Sequence, residues 1–285
     1  MPSPLLVRVS SALLVATFLG ACSSSPPAAT KAPPAPPEAA SSPAPRVAAT
    51  PSPASDPSLP PAVRAIVDAG DRSADDRALD AGRKPGALLA FLGLGSGAKV
   101  ADLGAGGGYT TELLARAVGP SGVVYSQNSK FLVDRFANKP WTARLAKPVN
   151  AKVIRVERDF DDPLPPEAKD LDAVVDILFY HDTVWMKTDR DRMNKAVFAA
   201  LKPGGVYLIV DHSGRPGSGT TESQTLHRIE ETVVRDEILK AGFKLAAEGS
   251  FLRNPSDARD WNDAPSASAD RRGTSDRFVY KFTRP

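Results

Sequence analysis

Among 285 residues there is one cysteine, Cys22, and there are only three histidines, His181, His212 and His227. A single thiol excludes any disulfide within the chain, so nothing covalent staples the fold. Charge of one sign is also missing: 36 basic residues face 33 acidic ones, a formal net of +3. No Lys or Arg run of the kind that tracks a phosphate backbone occurs, so nucleic acid is not an expected partner. No internal repeat is present. The apolar run near the start, Ser11 to Leu19, is too short to span a bilayer as a helix. From residue 23 to residue 61 there is no aromatic residue at all.

What is there divides into three parts. Residues 1–21 carry one basic residue, Arg8, then the short apolar run, then small residues, which is the layout of a signal peptide. Leu19-Gly20-Ala21-Cys22 resembles the bacterial lipobox, in which the thiol is acylated and the cysteine becomes the new N-terminus. The only cysteine of the chain stands at the required position. Residues 22–61 are almost wholly Ser, Pro, Ala and Thr. Such a segment buries too little apolar area to offset its ordering entropy, so it reads as a disordered tether with a reach on the order of 100 Å. Residues 62–285 form the expected domain. The expected location is the cell envelope, lipid-anchored to a bacterial membrane, with the domain in the periplasm or at the cell surface.

Within the domain, short β-like runs alternate with longer helical ones. Helices are expected over 62–70, 86–94, 110–118, 129–137, 188–201 and 222–241, with the charged stretch 71–84 as a connection. Strands are expected over 98–103, 122–126, 151–156, 171–179, 206–211, 243–252 and 277–282. That alternation predicts an α/β, Rossmann-like fold: a seven-stranded, mostly parallel sheet with an antiparallel edge strand and helices on both faces.

The most informative stretch is Asp102-x-Gly104-x-Gly106-x-Gly108-Tyr109, where an apolar strand runs through glycines directly into a helix. Glycines there permit a sharp turn and let a ligand lie against the backbone. Leu201-Lys202-Pro203-Gly204-Gly205 before the fifth strand and Ala241-Gly242-Phe243 after the last large helix occur in the matching order. With these motifs, residues 62–285 resemble the class I S-adenosylmethionine-dependent methyltransferases. The leader, together with Phe179-Tyr180-His181-Asp182, Asp211-His212-Ser213 and Leu226-His227-Arg228, resembles a bacterial exported or lipoprotein group of predicted methyltransferases. A nicotinamide-binding Rossmann domain wants Gly-x-Gly-x-x-Gly, and Tyr109 breaks that spacing.

The resemblance implies S-adenosyl-L-methionine as cofactor, with Asp102, Gly104, Gly106, Gly108 and Tyr109 on its methionine side and Asp159 and Phe160 on its adenine side. Asn128 stands where the family carries an acidic ribose ligand. An amide has one acceptor oxygen there, and capping the next helix is the other role open to it.

All three histidines fall at the carboxyl edge of the sheet, where open α/β folds bind ligands. His181 or His212 is the expected base, with Asp211 or Asp182 as its orienting partner, acting on a small or envelope-attached acceptor. No metal is expected. Asp182 and Asp211 partly match the carboxylates of Mg²⁺-dependent O-methyltransferases, but His212 replaces the amide, and histidine suits Zn²⁺ or Fe²⁺ better. Tyr180 either faces the sulfonium or packs on the sheet, and the polar loop 254–275 is either a lid or an excursion. The alternative to an enzyme is a lipoprotein that keeps this fold to bind a ligand or partner without catalysis.

Overall fold

The first strand is a largely apolar run cut off at its carboxyl end by glycines. The computed structural model describes Asp56 and residues 58–285. The leader 1–21, Cys22 and almost all of the tether lie outside the described residues. In chain order, α1 (Pro61–Val67), α2 (Ala74–Arg83) and α3 (Pro85–Leu92) precede β1 (Lys99–Leu103), and α4 (Tyr109–Val118) leads into β2 (Val123–Asn128). Next come α5 (Lys130–Leu132), a π turn, α6 (Asn138–Leu145), β3 (Val153–Glu157), β4 (Leu171–Ile177), α7 (Asp182–Trp185) and α8 (Arg190–Ala200). β5 (Leu201–His212), α9 (Glu231–Lys240), β6 (Lys244–Gly249) and β7 (Arg277–Thr283) complete the chain. Among the described residues no helix is long and apolar enough to cross a membrane.

The sheet has seven strands in the order β3-β2-β1-β4-β5-β7-β6. The first five strands pair in parallel, and β7 runs antiparallel between β5 and β6. Side chains alternate between two cores, as strand geometry requires. Ala101, Val174, Tyr207, Ile209 and Phe278 pack with Met193, Val197, Val234 and Ile238 from α8 and α9. Val100, Ala173, Leu208 and Val279 pack with Leu88, Leu92, Leu114 and Val118 from α3 and α4.

Three expectations about elements need correction. The charged stretch 71–84 contains α2, capped by Ser73 Oγ, which accepts from Asp76 N at 3.2 Å. Several of its charges are paired, Arg72 with Asp80 at 2.7 Å, Asp71 with Arg116 and Asp76 with Arg144, so they do not mark a solvated loop. The connection after residue 137 is helical as α6, with Pro140 tolerated in the first turn and Trp141 fully buried. The expected helix 222–241 forms only as α9. Before it, Ile229 bridges to Ser213, Ile229 N donates to His212 O at 3.0 Å, and Gly214 N donates to Ile229 O at 2.8 Å. Tertiary pairing with the end of β5 outweighs helical periodicity there, and it puts His227 on a loop beside the sheet edge instead of on a helix.

Candidate functional site

The glycine turn is built from backbone and held from several sides. Gly104, Gly106 and Gly108 all have positive φ, 59°, 54° and 80°, where a side chain is strained. Gly104 N donates to Gln127 Oε1 at 3.1 Å, Ala105 N to Gln127 O at 2.9 Å, and Gly106 N to Asn128 Oδ1 at 2.8 Å. Asn128 Nδ2 donates back to Gly106 O at 3.2 Å. From outside, Arg144 Nε donates to Gly107 O at 3.0 Å, while its guanidinium pairs with Asp76 and Glu112. The amide of Asn128 therefore acts as a two-point backbone mimic, a task a carboxylate cannot perform because it lacks the donor. The capping role open to it is not taken, because Ser129, not Asn128, caps α5; its side chain is committed to Gly106.

Asp102 sits under the turn with 1 % of its surface exposed and accepts from Thr111 Oγ1 at 2.5 Å. Burial pushes its carboxyl up to about 7, against the opposing effects of Thr111 and Arg83. Tyr109 turns towards α2, where its hydroxyl donates to Asp80 at 2.7 Å and Arg83 stacks on its ring at 4.7 Å. Asp159 is exposed, and Phe160 is buried against Phe179 with ring centroids 4.5 Å apart. Tyr180 packs away from the edge, hydrogen-bonded to Glu237 and Asn194.

This edge fits an adenosyl ligand in two respects. A Cβ on Gly106 would meet nothing nearer than Gly104 O at 4.0 Å, so open backbone faces the ligand side. A cavity of about 420 Å³ lies between Ser129, Asp159, Phe160, Asp161 and Trp185, at the ends of β2 and β3 and beside α7. It differs from the family pattern in two others. No free carboxylate at Asn128 meets the ribose, and Phe179 covers Gly104 so closely that a Cβ there would lie 2.3 Å from its ring.

The second half of the site is made of side chains. The ends of β4 and β5 are neighbours, which brings Asp211 under His181: Nδ1 lies 2.8 Å from Asp211 Oδ1, and His181 N donates to Oδ2 at 2.7 Å. His181 Nε2 lies 3.1 Å from His227 Nδ1 and 3.2 Å from Asp182 Oδ1, and the last two atoms are 3.4 Å apart. Burial opposes charge on His181, but the Asp211 and Asp182 carboxylates outweigh it and hold the imidazole well above its ordinary value. Both ring nitrogens of His181 are thus engaged by neighbouring side chains.

His212 is differently placed. Its Nδ1 lies 2.9 Å from Ser275 Oγ and against the Asp263 carboxylate, so Nε2 is left for a ligand. Burial holds this imidazole below its ordinary value, although Asp263 works in the other direction. Beneath the cluster, Asp176 is fully buried and neither carboxylate oxygen has a hydrogen-bond partner. Burial and then the Asp211 charge push it well above the usual carboxylate range.

His181, Asp182, His212, His227 and Asp263 line a cavity of about 440 Å³, which Arg83, Arg272 and Arg277 also border. The loop 254–275 is part of its wall: Asp263 holds His212, and Asp257 pairs with the buried Arg228 at 2.8 Å. Sequence reasoning did not find Asp263, Asp176 or the arginines, and nothing in local spacing marks them.

Two comparisons bear on the fold. Residues 76–153 match the family model described as protein-L-isoaspartate(D-aspartate) O-methyltransferase, a stretch that runs from α2 through the glycine turn into the start of β3. The fold is similar to that of a SAM-dependent methyltransferase from Aquifex aeolicus, with TM-score 0.51 and 17% identity over 78% of this chain and 98% of that one. It is also similar to a chain of the Haloferax volcanii complex that contains the Trm112 methyltransferase activator, with TM-score 0.50 and 21% identity over 74% and 93% of the two chains. The fold is thus the Rossmann-like one of the class I methyltransferases.

Proposed function

We propose that the chain is an S-adenosylmethionine-dependent methyltransferase that acts on a small or envelope-attached acceptor held in the 440 Å³ cavity. The observation that carries this reading is the position of His212: it lines that cavity with Nδ1 already bound, at the same sheet edge as the glycine turn.

The backbone of Gly106 and the walls formed by Asp159, Phe160 and Trp185 would hold the cofactor. Bound there, S-adenosylmethionine supplies a methyl group on a sulfonium, already activated for in-line transfer. The protein's work is then orientation and proton management. Asp263 and Ser275 fix the His212 ring, and Nε2 accepts the proton that the acceptor oxygen or nitrogen gives up as its new bond to carbon forms. Arg83 and Arg277 bias the cavity towards an acceptor with negative charge.

Titration calorimetry of the purified chain with S-adenosylmethionine and its demethylated product tests the reading. Saturable heat is expected with both, and no heat with either at millimolar concentration overturns it. Transfer of a labelled methyl group to an envelope extract should fall by about 10²- to 10⁴-fold in His212→Gln. The envelope location is supported by the sequence Leu19-Gly20-Ala21-Cys22. Cys22→Ser should move the protein out of the membrane fraction, and unchanged fractionation refutes the lipid anchor.

A further inference from the structure

Three potential ligand atoms, His181 Nε2 (once a metal ion displaces its hydrogen), His227 Nδ1 and Asp182 Oδ1, converge on one point at mutual distances of 3.1, 3.2 and 3.4 Å. Bonds of about 2.0–2.2 Å to a shared ion put its donors roughly 2.9 Å apart in octahedral and about 3.4 Å apart in tetrahedral geometry. All three observed separations fall in that range. Hydrogen bonds alone serve the triangle poorly, because the single hydrogen on His181 Nε2 is divided between two acceptors.

The surroundings are those of a built site. The other nitrogen of His181 is fixed by the Asp211 carboxylate at 2.8 Å, and Asp211 is in turn held by the His181 and His212 backbone N–H groups. Carboxylate–histidine pairs of this kind set the tautomer and raise the basicity of a metal-bound imidazole. Trp185 Nε1 donates to Asp182 at 2.7 Å and orients that ligand. His227 is held at φ 52°, an uncommon conformation for a residue other than glycine. The neighbouring Arg228, buried against Asp257 and Ser213 O, pins the backbone that imposes it. On the remaining side the cluster opens to the 440 Å³ cavity.

We propose that His181, Asp182 and His227 hold a divalent first-row transition ion through two imidazole nitrogens and one carboxylate oxygen, with the open coordination positions facing the cavity. Two nitrogens and one oxygen favour Zn²⁺, Fe²⁺ or Co²⁺ over Mg²⁺ and Ca²⁺, which prefer all-oxygen shells. The ion's open positions, with Arg83, Arg272 and Arg277 around the same cavity, would take an anionic oxygen ligand. The ion would face the same cavity as the methyl acceptor, and its ligand set shares only Asp182 with the Asp182–Asp211–His212 set considered from sequence.

The test uses the purified full chain, stripped with a chelator and titrated with Co²⁺ and Zn²⁺ alone, without S-adenosylmethionine. One equivalent of either ion should bind, with a visible Co²⁺ absorption band and a rise in Tm, and Mg²⁺ should produce neither. Asp182→Asn and His227→Gly should each weaken binding by at least about 100-fold, and Asp211→Asn, one shell out, by roughly 10- to 100-fold. His227→Gly keeps a backbone that tolerates φ 52°, and its Tm in chelator should lie within about 2–4 °C of that of the unsubstituted protein and no lower. Failure of the unsubstituted chain to bind one equivalent overturns the proposal, as does unchanged affinity in both ligand variants. Because no cofactor is present, neither result bears on methyl transfer.

Discussion

The glycine turn and the histidine cluster share one edge of one sheet, yet they are built in opposite ways. The turn is held largely by itself: the N–H groups of Gly104, Ala105, Gly106 and Gly108 are matched by Gln127, Asn128 and Ala105 O, and Arg144 clamps it from outside. The cluster is convergent and open, with three donor atoms facing one another, a strained His227 and an unpartnered Asp176 beneath. The first arrangement is what a fold does to hold a backbone in shape. The second carries polar groups whose cost the fold alone does not repay, which is the usual mark of chemistry.

If the turn is a closed structural unit, disturbing it should unfold the protein before it does anything subtler. Gly104→Ala is the severest test, since its Cβ would lie 2.3 Å from the Phe179 ring at a backbone φ of 59°. Left-handed strain and overpacking together should cost about 3–5 kcal/mol in urea unfolding. Adding Phe179→Ala should relieve the overpacking and leave the strain, so a double-mutant cycle shows coupling between the two positions. Independent, additive losses would mean that Phe179 moves freely and does not cover the turn.

A slightly smaller effect separates the two regions by pH. Asp102, ordinarily at 3.8, titrates at about 7 in the folded chain because it is buried. Between those values the folded protein keeps a proton that the unfolded chain has released. Its contribution is therefore complete below pH 3.8 and lost as pH rises through about 7. The loss amounts to at most about 4 kcal/mol. Asp102→Asn still accepts from Thr111 and should flatten stability across that window, and an unchanged slope would assign the proton elsewhere.

How much of this was legible in sequence follows from the same contrast. Asp102-x-Gly-x-Gly-x-Gly is readable because strand, turn and helix are contiguous, and its spacing is itself the structure. The β/α alternation was readable for the same reason. The bond between Asn128 and Gly106 was not readable, because the turn after β1 and the end of β2 are brought together only by the sheet. The cluster depends on contacts far apart in sequence: β4 beside β5 brings Asp211 to His181, and loop 254–275 brings Asp263 to His212. His227 was expected to begin a helix, and the pairing of Ile229 with Ser213 moves it into the site instead.

The smallest effect is the most telling about the cluster. In chelator, His227→Gly loses a 3.1 Å contact with His181 and gains a residue at ease at φ 52°. Relief of left-handed strain is worth about 1–2 kcal/mol, and the added freedom of the unfolded chain takes back roughly 0.5–1 kcal/mol. Stability should stay within about 1 kcal/mol of the unsubstituted protein, on the favourable side. A residue whose removal leaves the fold no weaker, at a position where the backbone is forced to present it, is held there for something other than folding. A loss of 2 kcal/mol or more, on the scale of a buried hydrogen bond left unmade, would instead make His227 part of the scaffold and erase the distinction between the two regions.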